Sequence, residues 1–415
     1  MEIFDFIKKA PTAFHAAAEM KNILLSAGAK ELKENEPWEI EKGTMYFVIR
    51  NDSALIAFLV PAGAKGFRVF AAHGDSPTFK IKENPEINVE NRYVKLNTER
   101  YGGMIMSSWL DRPLSVAGRL LVRGDEGVET RLVNIDRDLL LIPNLCIHMN
   151  RKVNDGYTFN PQKDMLPLFG DNASAGKFME RVAEAAGVNK EDILGHDLYL
   201  YNRTEPVLFG DEEEFMASPR LDDVECALAG LMGFLAGKKE AFIPLFVMYD
   251  NEEVGSGTRQ GAASTFLKDT VEGISEALSD TPAVLRQRIS ESFMLSADNG
   301  HALHPNFPEM TDPTNRPVLN GGILLKYSAN QRYTTDGKAA AMLKLLSEEA
   351  DVPYQIFFNR SDMLGGSTLG NISTAQIPFM TADIGLTELA MHSSYETAGV
   401  KDYEYMKKLA ETLFS

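Results

Sequence analysis

The residues with the clearest potential for chemistry are histidines and carboxylates that directly follow short apolar runs. Four such runs lead into His73-Gly74-Asp75, Asp250-Asn251-Glu252-Glu253, Asp298, and Asp383 with His392 after a short loop. Mixed imidazole and carboxylate ligands favour zinc, manganese or cobalt over calcium and magnesium, which prefer oxygen ligands. If these segments meet in space, the sequence indicates metal-assisted hydrolysis.

Asp75 and the adjacent pair Glu252 and Glu253 suggest separate roles within such a site. Asp75, two residues after His73, could accept the second ring N–H and fix the tautomer of the histidine. In an extended segment, adjacent side chains point in opposite directions. One glutamate could then bind metal while the other acts as a general base that takes a proton from water and gives it to the leaving amine. Two cations about 3.5–4 Å apart would assist this hydrolysis.

Each of these residues also has an ordinary structural explanation. A single carboxylate after a strand most often caps a helix or forms a turn, and Asp222, just before a predicted helix, is first interpreted as an N-cap. A lone histidine is more often a surface or hydrogen-bonded group than a ligand. These explanations do not account for several such residues at the same edge of one predicted sheet.

The apolar runs themselves predict the elements that would position these residues. Continuous apolar stretches at 67–72, 242–249, 293–297 and 377–382 are typical of strands covered on both faces, as in an α/β sheet. In open α/β sheets, ligands bind outside the carboxyl ends of the strands. Helical patterns alternate with these strands, at 224–237 and 337–350 for example.

A change of pattern predicts a second domain. From about residue 81 to 218 the segments are short and alternating, with many charges and turn pairs. We therefore expect a catalytic domain formed by residues 1–80 and 220–415, interrupted by a mostly β inserted domain at 81–219.

Bulk composition limits the possible partners and location. The 415 residues are 44% hydrophobic and 24% charged, which is typical of a soluble globular protein. A net charge of −17 makes nucleic acid and anionic membranes poor partners. Only Cys146 and Cys226 are present, which fits a reducing compartment. No secretory signal pattern and no long apolar run is evident, so a cytoplasmic location is expected.

Several segments resemble the aspartyl aminopeptidase family of dinuclear zinc exopeptidases, including its bacterial branch. The resemblance extends over nearly the whole chain, with the segments in the order found in the family. They are APTAFHA at 10–16, HGDSP at 73–77, IHMNRKVNDG at 147–156, SPRLDD at 218–223, DNEEVGS at 250–256, SAD at 296–298, HPN at 304–306, NQRY at 330–333 and MHS at 391–393. The fold implied is a zinc-exopeptidase-like three-layer α/β domain with a mixed sheet.

The resemblance also implies a role for each candidate residue. Two divalent metal ions per subunit are expected, zinc first, with cobalt or manganese as alternatives. The implied ligands are His73 and Asp298 for one cation, Glu253 and His392 for the other, and Asp222 bridging both. Glu252 would be the general base and Asp75 would orient His73.

His148 lies in the predicted insert, where the resemblance implies a histidine that reaches a neighbouring subunit's active site and stabilises the oxyanion. A satisfied histidine within its own domain and a further metal ligand are the alternatives. His301 and His304 are interpreted as residues that support the ligands or lie in loops. The family forms tetrahedral dodecamers with enclosed active sites, so self-association is expected.

Three further residues are candidates for binding the peptide substrate. Lys326 precedes the NQRY segment and Tyr333 is its last residue. Lys326 could pair with an acidic substrate side chain; a solvated lysine at a strand end is the alternative. Asp362 opens a glycine-rich loop that lacks the Walker lysine and is expected to line the peptide site. Residues 360–363 depart from the form associated with strict specificity for acidic residues, so the preferred first residue stays open.

The leading hypothesis is therefore a metal-dependent aminopeptidase that removes the N-terminal residue, acidic or otherwise, from peptides. A related deblocking aminopeptidase or carboxypeptidase-type metallo-exopeptidase is the enzymatic alternative. A catalytically dead, self-assembling shell or cargo protein is the non-enzymatic one, and it would require a damaged ligand set. The sequence lacks none of the expected ligands.

Overall fold

A nine-stranded mixed sheet forms the centre of the computed structural model, which describes residues 1–125 and 127–415. Strands are numbered in chain order. Across the sheet they are β1 (Lys30–Leu32), β2 (Met45–Arg50), β3 (Ala54–Leu59), β13 (Ile243–Tyr249), β4 (Phe67–His73), β14 (Phe293–Ala297), β18 (Met380–Gly385), β16 (Ile323–Tyr327) and β17 (Tyr354–Phe358). Strands β13, β4, β14 and β18 run parallel to one another, so their carboxyl ends lie at the same edge.

Helices cover both faces of this sheet because its strands carry apolar side chains on both faces. On β4, Phe70 packs into the core on one face, whereas Val69 and Ala71 pack into the core on the other. The Phe70 face carries α1 (Glu2–Lys9), α2 (Ala13–Ser26), α4 (Val224–Ala236), α7 (Gly337–Ala350) and α9 (Val400–Leu413). The opposite face carries α5 (Phe266–Ala277), α6 (Pro282–Ser290) and α8 (Leu369–Ser373). The expected three-layer α/β fold is confirmed.

Helix α4 lies unusually close to the sheet, and a glycine makes this approach possible. A Cβ atom at Gly230 would lie 2.4 Å from ring carbons of Phe70, so a side chain there would have to displace the aromatic ring. The close packing holds the middle of α4, the helix that follows Asp222, against the sheet.

The predicted strand at 377–382 begins three residues later than expected. Ile377 and Phe379 are apolar because they pack into the core beside α8, before β18 begins at Met380. Asp383 therefore lies inside β18 and does not follow it. Its buried carboxylate accepts the backbone N–H of Thr334, and burial raises its pKa to about 6.

A separate six-stranded antiparallel sheet is formed by residues between 78 and 202. Its order is β8 (Gly127–Asn134), β7 (Leu114–Gly124), β10 (Ile193–Asn202), β5 (Thr78–Val89), β6 (Tyr93–Tyr101) and β9 (Leu168–Asp171). One helix, α3 (Phe178–Ala186), packs on it, and together they bury their own apolar core, which includes Leu96, Phe178 and Leu198.

The third sheet joins the end of this segment to the C-terminal part of the chain. It contains β11 (Val207–Phe209), β12 (Phe215–Ser218), β20 (Glu396–Gly399), β19 (Thr387–Leu389) and β15 (Gly300–His301). Strands β11 and β12 fall within the range 81–219, but β12 pairs with β20 rather than with the six-stranded sheet. Among the described residues, none of the helices combines the length and the apolar character that a membrane crossing requires.

Candidate metal centre

Five separate segments of the chain bring the candidate ligands together at the carboxyl edge of the nine-stranded sheet. His73 is the last residue of β4, and Asp298 directly follows β14. Asp222 precedes α4, but the residue at the N-cap position is Asp223, so the N-cap interpretation of Asp222 is wrong. His392 follows β19, a strand of the third sheet, so this ligand reaches the edge from outside the nine-stranded sheet.

The distances between these side chains are those of groups that can share cations. His73 Nε2 lies 3.7 Å from Asp222 Oδ1 and 3.7 Å from Asp298 Oδ1. His392 Nε2 lies 3.3 Å from Asp222 Oδ2 and 3.2 Å from Glu253 Oε2. Asp222 thus offers one carboxylate oxygen to each histidine. Two groups of three potential ligands, each within 4.8 Å, share this aspartate.

Buried polar atoms without partners provide a test of whether a metal fits here. Within the described part of the chain, His73 Nε2, Asp222 Oδ1 and Glu253 Oε1 are buried and have no hydrogen-bond partner. Leaving such atoms unpaired costs free energy, typically about 1–3 kcal/mol each and more for charged groups. Imidazole nitrogen and carboxylate oxygen are standard zinc ligands. The residues present therefore fit bound zinc.

Asp75 contacts the ring nitrogen of His73 that faces away from the other ligands. The backbone carbonyl oxygen of Asp75 lies 3.2 Å from His73 Nδ1, and its carboxylate Oδ1 lies 3.3 Å from the same nitrogen. The same carboxylate accepts the backbone N–H groups of Glu252 and Glu253 at 3.1 and 3.2 Å and the hydroxyl of Tyr101 at 2.6 Å. One carboxylate thus joins the loop after β4 to the loop after β13.

Glu252 and Glu253 lie in a 3-10 turn, Glu252–Val254, rather than in an extended segment. The prediction that strand geometry points these two side chains in opposite directions is therefore wrong. Both can still offer a carboxylate oxygen within 4.8 Å of the His73 ring and of each other. Burial raises the pKa of Glu252 to about 8, and the Asp298 carboxylate adds to the rise. A nearby cation would oppose this shift because it favours the charged form.

Lys326 and Tyr333 lie close to Asp298. Lys326 is only 2% exposed, so the alternative of a solvated lysine is wrong. Its ammonium group donates to the Asn299 carbonyl at 2.7 Å and lies 4.0 Å from Asp298 Oδ2. Burial alone would lower the pKa of Lys326, but Asp298 and the other acidic groups around the ammonium together outweigh burial, and the pKa is raised. The Tyr333 ring is buried, with its centroid 5.4 Å from the ammonium nitrogen.

Asp362 and His148 are exposed, unlike the candidate ligands. Asp362 pairs with Arg360 at 2.7 Å in a surface loop. His148 lies in a long connection between β8 and β9 that contains only a short 3-10 helix. Among the described residues, the groups that could hold a metal do not include His148. His304 accepts the backbone N–H of Asn306 within its own loop, and His301 stands in the edge strand β15.

Glu396 was not among the predicted site residues, yet it lies directly behind the candidate ligands. This buried carboxylate accepts the backbone N–H groups of both Asp222 and His392. The available signal was a glutamate four residues after a candidate ligand, which alone does not distinguish this role from that of an exposed strand residue.

A three-layer α/β fold with imidazoles and carboxylates gathered at the carboxyl ends of its parallel strands defines the class of metal-dependent hydrolases. Comparison with known proteins identifies the family within this class. A family model described as "Aminopeptidase I zinc metalloprotease (M18)" matches residues 6–414. The chain therefore belongs to the M18 family, and it is a zinc-dependent aminopeptidase.

Individual relatives agree with this assignment over the whole chain. A probable M18 family aminopeptidase 2 of Clostridium novyi is 44% identical over 423 residues, covering 100% of this chain and 98% of the relative. The structure of the Ape4 and Nbr1 complex contains a chain with a TM-score of 0.96 and 34% identity, covering 100% of this chain and 84% of that one. The S. cerevisiae mApe1 dodecamer gives a TM-score of 0.88 at 28% identity, covering 100% and 95%.

Proposed function

We propose that this aminopeptidase uses two zinc ions per subunit, with His73 and Asp298 binding one, Glu253 and His392 binding the other, and Asp222 bridging both. The observation that carries the proposal is the position of Asp222, whose two oxygens lie 3.7 and 3.3 Å from the two histidine rings. Bound zinc supplies Lewis-acid chemistry that polarises a carbonyl group and makes water a stronger acid.

Glu252 is the proposed general base. Its carboxylate would take a proton from the attacking water and deliver it to the amine of the leaving peptide. Support comes from its position next to the candidate ligand Glu253 and from its half-buried side chain, since partial burial reduces competition from bulk water for the proton. Asp75 would hold the His73 ring and the Glu252–Val254 turn in place through three contacts, one to the ring and two to backbone N–H groups of the turn.

Lys326, Tyr333 and Asp362 are proposed to contact the first residue of the peptide. Lys326 places a buried positive charge beside Asp298, and such a charge would favour an acidic substrate side chain. Tyr333 covers this ammonium group from one side. Asp362, on the surface loop, would contact the peptide at the rim of the site. An acidic preference is therefore part of the proposal.

The insert at 81–219, between the two parts of the catalytic domain (1–80 and 220–415), is proposed to act as a lid and dimerisation domain. The apolar side chains on both sides of His148 support this, because Leu145, Ile147 and Met149 are 55, 49 and 75% exposed. Clustered exposed apolar residues mark interaction surfaces. We propose a homo-oligomer, a tetrahedral dodecamer, in which His148 reaches the neighbouring subunit's site and stabilises the oxyanion. The structure of the similar mApe1 is a dodecamer, which supports this number of subunits.

A cytoplasmic location completes the proposal. Cys146 and Cys226 are both free thiols, which fits a reducing compartment. The partners would then be peptides and other copies of the chain.

The decisive experiment measures release of the first residue from peptides that differ only at that position, with zinc content determined on the same sample. We expect release of N-terminal residues, fastest for aspartate or glutamate, and about two zinc ions per chain. Acetylated peptides are the matched control and should not be cleaved. Cleavage of acetylated peptides, or release from the C-terminus, would favour the related exopeptidase classes. Zinc-loaded protein that releases no residue would contradict the proposal.

A further inference from the structure

Glu396 connects two loops that are distant in sequence and that each carry a candidate ligand. Its Oε2 atom accepts the backbone N–H groups of Leu221 at 2.9 Å and Asp222 at 3.2 Å. Its Oε1 atom accepts the backbone N–H of His392 at 2.7 Å. The side chain is 2% exposed, so these hydrogen bonds are shielded from water. One carboxylate therefore holds the backbone of both Asp222 and His392.

The sheet register places Glu396 where it can reach both loops. Glu396 is the first residue of β20 and pairs with Ser218, the last residue of β12, four residues before Asp222. The chain then turns back, so that Glu396 also reaches His392, four residues before it. His392 has a φ of 64°, a left-handed conformation that residues other than glycine rarely adopt without support from neighbouring groups. The hydrogen bond from its N–H to Glu396 provides such support.

This arrangement matches the one around Asp75 on the other side of the site. Asp75 joins the loop of His73 to the turn that contains Glu252 and Glu253, and Glu396 joins the loop of Asp222 to that of His392. The 3.3 Å separation between Asp222 Oδ2 and His392 Nε2 depends on where these two backbone segments stand. A shift of either loop would move one ligand away from the other.

We infer that Glu396 is a positioning residue, which fixes Asp222 and His392 at the separation needed to hold the cation they share with Glu253. The inference rests on the proposed two-cation function. Glu396 touches the backbone of the ligands and has no contact with substrate in this account. Its loss should weaken binding of one cation more than the other, since His73 and Asp298 are held by different contacts.

Glu396→Gln is the informative variant because it preserves shape while removing one acceptor. The amide keeps a single carbonyl oxygen and turns its NH₂ group toward the N–H of the other loop, so only one loop can be held. Asp402→Asn is the matched control. Asp402 is also buried and accepts backbone N–H groups, from Asn320 at 2.7 Å and Gly322 at 2.8 Å, but neither of these residues is a candidate ligand.

The test titrates zinc into metal-free protein in the presence of a competing chelator, for wild type and both variants, and records thermal unfolding of each metal-free protein. For Glu396→Gln we expect one of the two zinc ions to bind about 10–100-fold more weakly, the range found when groups that orient metal ligands are removed. Activity should be restored by raising the zinc concentration. Asp402→Asn should unfold at a lower temperature yet bind zinc as wild type does.

Wild-type affinity for both ions in Glu396→Gln would overturn the inference, as would an equal loss of zinc affinity in Asp402→Asn. If Glu396→Gln does not fold, Glu396→Asp decides the question, because it keeps the charge but is one methylene too short to reach both loops. Zinc content of the wild type separates this inference from the proposed function: fewer than two ions there would contradict the function itself.

Discussion

The carboxyl edge of the nine-stranded sheet and the loop around His148 contain comparable chemical groups in opposite surroundings. At the sheet edge, His73 and Asp222 are almost fully buried, and two further carboxylates hold the backbone around them. His148 is exposed between exposed apolar neighbours. Burial and hydrogen bonds orient ligands within a single chain, whereas an exposed histidine acquires a fixed position only when another surface packs against it. This difference supports the proposal that the metal centre forms within one subunit and that a second subunit completes the site.

Removing the metal is expected to have the largest effect on activity. It tests only the proposed metal centre at the sheet edge. Dialysis against a strong chelator should abolish peptide hydrolysis, since it removes the Lewis acid on which the reaction depends, and added zinc should restore it. Metal-free protein should also unfold at a lower temperature because the carboxylates of the site then repel one another. The measurement is activity and zinc content over a chelator titration. Full activity in protein shown to contain no metal would contradict the proposed metal centre at the sheet edge.

Glu252→Gln tests whether chemistry and metal binding are separate functions within the same 3-10 turn. The variant should retain zinc and lose about 10²–10⁴-fold in kcat, the usual contribution of a general base. Glu253→Gln is the matched neighbour and should lose zinc as well as activity. Steady-state kinetics with metal analysis would check both variants. Near-normal kcat in Glu252→Gln would mean that another group is the base.

The His148 loop can be tested by mixing two inactive subunits. His148→Ala alone should lower kcat by about 10²–10³-fold, the usual loss of one oxyanion donor. Co-expressed His148→Ala and Glu252→Gln chains should regain about a quarter of wild-type activity, because random pairing leaves that share of sites with both residues intact.

Glu252→Gln mixed with Glu253→Gln is the control and should stay inactive, because both residues belong to the same subunit's site. If His148 acts within its own chain, the first mixture will stay inactive too. Light scattering that shows a monomer at every concentration would also contradict the proposed role of His148 in a neighbouring subunit's site.

The smallest expected effect is a change in stability, and it concerns the packing of α4 against the nine-stranded sheet. Gly230→Ala places a Cβ atom 2.4 Å from the Phe70 ring and should lower the free energy of unfolding by about 1–3 kcal/mol. Gly337→Ala, a helix glycine with nothing within 4 Å of an added Cβ, is the control and should leave stability equal or slightly higher. Urea unfolding of metal-free protein measures both. Equal stability of the two variants would show that α4 does not need this close approach.

The strands that form the site were predictable because their residues are buried on both faces. The apolar runs at 67–72, 242–249 and 293–297 each match an observed strand within one residue. The run at 377–382 misled because Ile377 and Phe379 serve the core beside α8 before the strand begins. A continuous apolar run therefore shows that residues are buried without showing where the strand starts.

The supporting contacts of the site were harder to predict because they depend on pairing between distant segments. Glu396 reaches Asp222 only because β20 pairs with β12, a register that local sequence does not encode. Lys326 carried a signal that was available, since it lies in the apolar run Ile323–Tyr327, where a lysine is expected to be buried with a partner. Asp222 was first interpreted as a helix cap because its histidine partners lie far away in the sequence.

Asp222 is proposed to serve two cations at once, and anomalous diffraction at the zinc edge would test this most directly. Crystals of zinc-loaded protein should show two peaks about 3.5–4 Å apart, one on each side of the Asp222 carboxylate. The peak beside His73 and Asp298 and the peak beside Glu253 and His392 should both be present in every subunit. A single peak, or two peaks that Asp222 does not join, would contradict the account.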